Sequence, residues 1–480
     1  MDSLRHRLAA LLAGLLATAG IIEESRLRET TALAWPRVVT GFAIMSKRTV
    51  DLAVVGIAVG PTAVAGVTLA NAYWAVGKFA FIGLAGGTIS LVSQNYGGGD
   101  GDRARQAVEA SVLVTLLLAL PVALLYALEA DALVSLFGLG RDSLGPETLG
   151  YGAVYLAVIA PGLVFEALNL VASRTYAGVG DTRTPMAMRV SGALLNILLS
   201  GVLVLGLGYG VAGAAVGTTV STVIVAVVFA WGMTGRSYLG RGASPIPVTF
   251  TALPDLALVR QLVRVGGPLV ARRVAQAGVV FPLLAIAAVF GPVAVAAVGV
   301  ARQVRALLDS FGWGFSIATS TLVGQALGDG AETDAATYGW EITKLSAVVY
   351  VLAALAVVAV AGPVAGVFVD PPDVPLTAAF VAVAALSAVP LGVDGSVTGT
   401  LRGAGDTTIP FLATLAGLYL VALPVAWAGT VTALGVVGLQ LALLAETAVP
   451  ALVTLARFRS GAWQSVSRAF RPDSGPAETD

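Results

Sequence analysis

Long apolar runs recur along the whole chain and constrain its fold more than any other feature. Twelve runs, separated by Gly, Pro or charged residues, have the ~20 apolar residues needed to cross ~30 Å of hydrocarbon as a helix. The runs are solidly apolar rather than alternating, which excludes an outer-membrane barrel, so only helices fit. The predicted spans are 33–55, 62–94, 105–127, 150–173, 185–206, 211–233, 262–288, 293–326, 338–362, 376–400, 409–429 and 433–457.

Composition supports a membrane protein and excludes several other classes. Hydrophobic residues make up 57% of the 480 residues and charged residues only 12%, against ~25% charged in soluble domains. We therefore predict an all-α polytopic membrane protein of 12 transmembrane helices, with the lipid bilayer around it. Cys is absent and the only His is His6, which excludes disulfides, thiolate or His metal sites and a Ser-His-Asp triad.

Two further classes of function are excluded by the same residues. The net charge is +0 and no basic tract is present, which argues against nucleic acid as a partner. No nucleophile lies beside a base, and no HExxH pair or acid dyad occurs at a useful spacing. We predict that the chain is not an enzyme and needs no cofactor.

The distribution of Lys and Arg in the short loops predicts the orientation in the cell membrane. Alternate loops are basic, whereas most of the intervening loops have no Lys or Arg. By the positive-inside rule and an even helix count, both termini are predicted to be cytoplasmic. The basic positions are Arg26, Arg28, Arg103, Arg105, Arg174, Arg183, Arg236, Arg241, Arg402, Arg457, Arg459 and Arg468.

Residues 1–30 leave two interpretations open. An apolar run, Leu8–Ile22, follows Arg5 and Arg7 and is too short to span a membrane. Residues 17–19 (Ala-Thr-Ala) resemble a signal-peptidase site. We favour the other interpretation, an N-terminal cytoplasmic or interfacial segment.

An internal repeat divides the chain into two halves. Gly60–Val67 (GPTAVAGV) matches Gly291–Val298 (GPVAVAAV) at an offset of 291 − 60 = 231, and Gly180–Pro185 (GDTRTP) matches Gly405–Pro410 (GDTTIP) at 405 − 180 = 225. The repeat predicts two six-helix bundles related as parallel repeats, which is an architecture of alternating-access carriers. We predict lobes at 31–233 and 261–460, a cytoplasmic linker at 234–260 and a cytoplasmic tail at 461–480.

These motifs resemble those of the MATE multidrug and toxin extrusion transporters. The resemblance covers about 33–460 and is carried by Thr49–Gly66, Ser173–Pro185 and Leu194–Gly206 in the first half. Thr400–Pro410 and Gly435–Glu446 carry it in the second half. It implies a V-shaped pair of bundles, sufficient as a monomer, that exports small molecules or drugs by antiport against H⁺ or Na⁺.

Asp51 matches the coupling carboxylate of the family, and Pro36, earlier in the same helix, matches a point where that helix bends. A carboxylate inside a membrane is a functional candidate by default, able to carry a proton or hold Na⁺. Two alternatives stay open: Asp51 forms a structural ion pair with Lys47 at i−4, beside Arg48, and Pro36 is only a kink.

The rest of the family's cation site is incomplete in this sequence. Asn196 and Thr218 match polar members of the site, but Ser200 occupies the position of a second acid. In the second half, Gln276 replaces a family Glu, and Asp394 lies one turn away from another family acid. We therefore favour H⁺ as the coupling ion, with Na⁺ at Asp51 as the alternative and no other metal site.

Charged residues inside or near the spans allow two interpretations. Seven bases stand against five acids: Lys47, Arg48, Lys78, Arg272, Arg273, Arg302 and Arg305 against Asp51, Glu166, Asp309, Asp394 and Glu446. Either they pair off structurally, for example Arg305 with Asp309 at i,i+4, or they give a positive cavity suited to anionic or zwitterionic substrates. A flippase for a lipid-linked precursor is the alternative function. The candidate cavity residues are Lys47, Arg48, Trp74, Lys78, Gln276, Arg302, Arg305 and Asp309.

Overall fold

The computed structural model describes residues 14–136, 145–237, 243–251, 253–366 and 369–469, and within these ranges all regular secondary structure is helical. Twelve long helices follow one another there. Their bounds are α1 Glu24–Ala58, α2 Pro61–Gly97, α3 Gly101–Leu128, α4 Pro146–Gly178, α5 Arg183–Gly206, α6 Gly210–Met233, α7 Leu256–Val289, α8 Pro292–Gly328, α9 Glu332–Ala359, α10 Val374–Gly403, α11 Thr408–Val431 and α12 Val437–Arg459.

Most of these helices can cross a membrane by length and composition. Ten of them, among the described residues, are apolar enough over a window of 18 residues. The other two, α1 and α8, are 35 and 37 residues long and carry charged residues inside the predicted spans. The twelve-helix membrane fold predicted from the sequence is confirmed.

The internal repeat is visible in the helix bounds. Helices α2 and α8 both have 37 residues, offset by 292 − 61 = 231. Helices α3 and α9 both have 28 residues, with the same offset, 332 − 101 = 231. Helices α5 and α11 both have 24 residues, offset by 408 − 183 = 225. The two halves therefore repeat one six-helix plan.

The chain divides into two compact units that are not contiguous halves. The N-unit comprises residues 36–92 and 100–270, and the C-unit comprises 1–35, 93–99 and 271–480. Helices α1, α2 and α7 are each divided between the units, and the division in α1 falls at Pro36. The lobe bounds 31–233 and 261–460 stay a prediction from the sequence.

Close helix contact in the N-unit depends on small residues. A Cβ on Gly66 of α2 would lie 2.4 Å from the carbonyl oxygen of Thr148 in α4. A Cβ on Gly152 of α4 would lie 2.9 Å from the carbonyl oxygen of Gly66. Because lipid offers no hydrophobic drive for helix association, such close backbone packing stabilises the bundle. It also fixes α4, which carries Glu166, against α2, which carries Lys78.

Helix α5 has a special local geometry at each end. The carboxylate of Asp181 accepts a hydrogen bond from the Thr184 amide at 2.9 Å, so Asp181 caps the first turn as its motif predicts. The helix changes from α to π geometry after Ser200, over Gly201–Gly206. Such π turns are frequent at functional sites.

The segment after α6 packs against the end of that helix within the N-unit. The Ser244 amide bonds to the carbonyl of Gly232 at 3.1 Å, and the Val248 amide bonds to that of Met233 at 2.9 Å. Ile246 is 1% exposed. The described middle part of the predicted linker, 234–260, is therefore bonded to the end of α6.

The first described residues pack within the C-unit. Residues 1–13 lie outside the described residues, so the interfacial and signal-peptide interpretations stay predictions. Ile22 is buried against Ile342 and Leu345 of α9, and Arg26 pairs with Glu341 at 3.1 Å. Helix α1 begins at Glu24, nine residues before the predicted span at 33 (33 − 24 = 9).

Candidate functional site

A cavity of about 290 Å³ lies inside the N-unit. It is bounded by α1, α2, α4, α5 and α6, each of which contributes lining side chains. Asp51 and four predicted cavity residues line it: Lys47, Arg48, Trp74 and Lys78. The volume is near the lower end of the ~300–1,000 Å³ usual for small-molecule sites.

Asp51 is held by neutral hydrogen-bond donors. Its carboxylate is on α1 and the residue is 7% exposed. The Thr218 hydroxyl lies 3.2 Å from Oδ2. The Asn196 side-chain nitrogen, turned toward Asp51, donates to both carboxylate oxygens at 3.1 Å, and the amide oxygen then faces the Thr218 amide at 3.1 Å. This amide orientation satisfies both ends of Asn196, whereas the opposite one sets its oxygen against a carboxylate.

Ser200 and Tyr155 complete the surroundings of Asp51. The Ser200 residue is fully buried, its hydroxyl faces Asp51, and that hydroxyl makes no regular hydrogen bond among the described residues. The Tyr155 hydroxyl is close to Thr218. The structure therefore brings together all four residues predicted for the cation-coupling site.

Lys47 lies one helical turn before Asp51 and does not close an ion pair with it. No carboxylate within the described ranges lies within 4.0 Å of the Lys47 ammonium. The charges of Asp51, Glu166, Lys78 and Arg189 nevertheless act on Lys47. Arg48, on the cavity wall, likewise makes no ion pair with a described carboxylate.

A second charged group in the same cavity is fully paired. Glu166 of α4 is 6% exposed and accepts two hydrogen bonds from the Arg189 guanidinium at 2.6 and 2.8 Å. Lys78 of α2 approaches Glu166 at 3.0 Å. Such bidentate, charge-assisted bonding ties three helices together. Arg189 was not predicted as a site residue, although it is a charged residue inside the predicted span 185–206.

The cavity lining carries an excess of positive charge. Its basic residues are Lys47, Arg48, Lys78 and Arg189, and its acidic residues are Asp51 and Glu166. With Asp51 ionised the sum is 4 − 2 = +2. The cavity thus contains one carboxylate held by neutral groups, one carboxylate held by two cations, and two cations without a carboxylate at contact distance.

The other predicted cavity residues lie in the C-unit and are engaged in local contacts. Arg302 and Arg305 of α8 both pair with Glu446 of α12, Arg302 at 2.9 Å. The expected i,i+4 partner of Arg305, Asp309, instead accepts from the Trp313 indole nitrogen at 3.0 Å. The pairing expected within one helix is therefore replaced by pairing between helices, because α8 and α12 bring Glu446 within reach of both arginines.

The seventh helix supplies a further buried pair in the C-unit. Arg272 pairs with Asp394, which also accepts from the Thr454 hydroxyl at 3.1 Å. The Arg273 side chain donates to Gln276 at 3.1 Å and stacks over the Trp313 ring at 4.8 Å. Asp394 is thus neutralised by a fixed arginine rather than held by neutral groups as Asp51 is.

Comparisons with known proteins agree on one family. A family model described as MatE matches residues 36–202 and 268–428, more than half of the chain. A probable multidrug resistance protein NorM from Bradyrhizobium diazoefficiens is 29% identical over 448 residues, 90% of this chain and 92% of the relative.

Solved structures show the same fold. One described as a MATE in the bent conformation has a TM-score of 0.83 at 22% identity and covers 92% of this chain and 97% of its own. Another, described as a MOP superfamily transporter from Pyrococcus furiosus whose reverse polarity of binding pocket suggests a different function, has a TM-score of 0.82 at 20% identity with the same coverage.

Proposed function

The chain belongs to the MatE family, and from this premise we propose that it exports small organic molecules in exchange for a cation moving inward. The multidrug resistance proteins similar to it support export rather than catalysis. The proposal rests mainly on one observation. The buried Asp51 lies in a ligand-sized cavity, and its carboxylate is held by Asn196 and Thr218. An ionisable group placed in a membrane span at a cost of ~2.5–3.5 kcal/mol is expected to serve transport.

We propose that Asp51 carries the coupling ion and that this ion is H⁺. The composition of the site supports a proton, because Ser200 stands at the position of a second acid and the groups that hydrogen-bond Asp51 are neutral. A hard cation such as Na⁺ is bound more weakly by one carboxylate than by two. The charge of Lys47 acts on Asp51, but the polar groups that face the carboxylate, Ser200, Thr218 and Asn196, are neutral. The carboxylate can therefore exchange its proton without breaking a contact ion pair.

Alternating access is the proposed mechanism, with Pro36 as the bending point of α1. The proline removes one backbone hydrogen bond within the helix, and the Thr40 hydroxyl bonds to the Pro36 carbonyl at 2.7 Å. The compact units divide at this residue. We further propose a monomer in the cell membrane with both termini cytoplasmic, on the basis of the basic loops.

The test is transport by the purified protein in proteoliposomes under an imposed pH gradient or an imposed Na⁺ gradient. Three matched probes are used: naphthylmethylammonium, naphthylalanine and naphthoate. Wild type is compared with Asp51→Asn and with Asp131→Asn, an exposed acid on the short helix Ala130–Ser135. We expect the pH gradient to drive transport of at least one probe in wild type and Asp131→Asn but not in Asp51→Asn.

Two results would contradict this proposal. Transport driven only by the Na⁺ gradient would name Na⁺ as the coupling ion. Transport that needs neither gradient and survives Asp51→Asn would remove the coupling role of Asp51 and would favour an uncoupled flippase.

A further inference from the structure

The charges of the N-unit cavity are unequally compensated. The Glu166 carboxylate forms ion pairs with both Arg189 and Lys78. This group of three side chains has a net charge of 2 − 1 = +1. Lys47 and Arg48 line the same cavity and make no ion pair with a described carboxylate. Charges left without a partner in a membrane span are costly, so a ligand that supplies the missing charge is expected to bind there.

The single complementary site for a positive group is Asp51. Its carboxylate is held by the neutral Asn196 and Thr218, so a ligand ammonium does not have to displace a fixed cation. Lys47 is on the same helix one turn away, at 51 − 47 = 4 residues. One wall of the cavity therefore presents a negative group and a positive group side by side, neither closed onto the other.

We propose that the cavity selects small zwitterions, binding an amine at Asp51 and an acidic group at Lys47. The inference rests on the proposed function, because exchange requires that the ligand amine and the coupling proton compete for Asp51. The volume of about 290 Å³ limits the ligand to a small molecule. The Trp74 side chain, on the cavity wall, offers a face for its apolar part.

Ligands with a single charge, either purely cationic or purely anionic, fit this lining less well. A purely cationic ligand would find Asp51 but would face the remaining lining side chains, whose charges sum to 4 − 1 = +3. A purely anionic ligand would be attracted by Lys47 but would not displace a proton from Asp51, since protonation removes a repulsive negative charge. Only a molecule with both an amine and an acidic group compensates the excess positive charge of the lining and still competes with the proton for Asp51.

The experiment measures binding of the same three naphthyl probes to the purified full-length protein in detergent by equilibrium dialysis. Lys47→Gln removes the charge, Lys47→Arg keeps it, and Arg236→Gln removes an exposed charge outside the cavity as the matched control. We expect naphthylalanine to bind at least tenfold more tightly than either singly charged probe. Lys47→Gln should weaken it about tenfold, the effect of one charge-assisted hydrogen bond, while Lys47→Arg and Arg236→Gln should not.

The pattern of probes separates this inference from the proposed function. If naphthylmethylammonium binds most tightly and Lys47→Gln leaves or improves its binding, the zwitterion inference is wrong while proton-coupled export of cations stands. If naphthoate binds most tightly and Asp51→Asn does not weaken it, the amine site is wrong. If none of the probes binds, the zwitterion inference fails. If, in addition, no pH-driven transport occurs, the proposed function fails too.

Discussion

The guanidinium of Arg189 on α5 holds the carboxylate of Glu166 on α4 through two hydrogen bonds of 2.6 and 2.8 Å. Lys78 adds a third contact at 3.0 Å. This arrangement places a neutralised acid in the same cavity as Asp51, which has no ion-pair partner at contact distance among the described residues. The two carboxylates of one cavity therefore differ in their surroundings, since Glu166 is paired with two cations and Asp51 is hydrogen-bonded by neutral groups.

Arg189→Met should destabilise the protein by about 2 kcal/mol. Breaking a buried ion pair costs ~3–5 kcal/mol, and the remaining contact with Lys78 offsets part of that cost. The measurement is thermal unfolding of the purified protein in detergent. Arg236→Met, which removes an exposed arginine of the same unit, is the control and should change little. A double variant, Arg189→Met with Glu166→Gln, should recover stability, and failure to do so would contradict the pairing.

Glu446→Gln and Asp309→Asn should differ strongly in stability. Glu446 neutralises both Arg302 and Arg305, so its amide variant leaves two half-buried arginines without that counter-charge and should cost about 3 kcal/mol. Asp309→Asn loses only part of its bond to Trp313 and should cost about 1 kcal/mol. Thermal unfolding of the two variants side by side decides this, and equal effects would restore the pairing of Arg305 with Asp309.

Thr218→Val should impair coupling without unfolding the protein. The variant keeps the shape of the side chain but removes the hydroxyl 3.2 Å from Asp51, a bond worth ~1 kcal/mol or about fivefold. We expect pH-driven transport in proteoliposomes to fall about fivefold. Thr219→Val is the matched control, because the Thr219 hydroxyl donates to the Val158 carbonyl instead. Equal losses in both variants would show that the effect is structural.

Glu109→Ala should release the segment that joins the two repeats. The buried Glu109 carboxylate accepts from the backbone amides of Thr249 and Phe250 at 2.9 and 3.1 Å. Without it, two amides lose their acceptor and the strained backbone of Phe250, with φ of +50°, is no longer held. Limited digestion with proteinase K should cut near residue 250 several times faster than in wild type.

Glu109→Gln provides the control for that digestion. Its amide oxygen can still accept from the two backbone amides, so cleavage should stay close to the wild-type rate. Equal cleavage of Glu109→Ala and Glu109→Gln would show that Glu109 does not hold the segment.

The sequence predicted the helices, their repeat and the proximity of the candidate coupling residues because these features depend on local chemistry. Span length is fixed by bilayer thickness, so the twelve helices were predictable from apolar runs. Residues four apart lie on one face of a helix, so Lys47 and Asp51, or Asn196 and Ser200, were predictable neighbours. The structure accordingly gathers Asn196, Ser200 and Thr218 around the Asp51 carboxylate.

Only the tertiary structure decided which charges pair. Glu166 selects Arg189, 23 residues away, and Glu446 selects Arg302 and Arg305, 144 and 141 residues away. Long side chains reach across whichever helix packs alongside, and that neighbour is set by close backbone contact of small residues throughout the bundle. The sequence therefore determined which charges the membrane must accommodate, and the packing of the helices determined that Asp51 is the one left among neutral partners in its cavity.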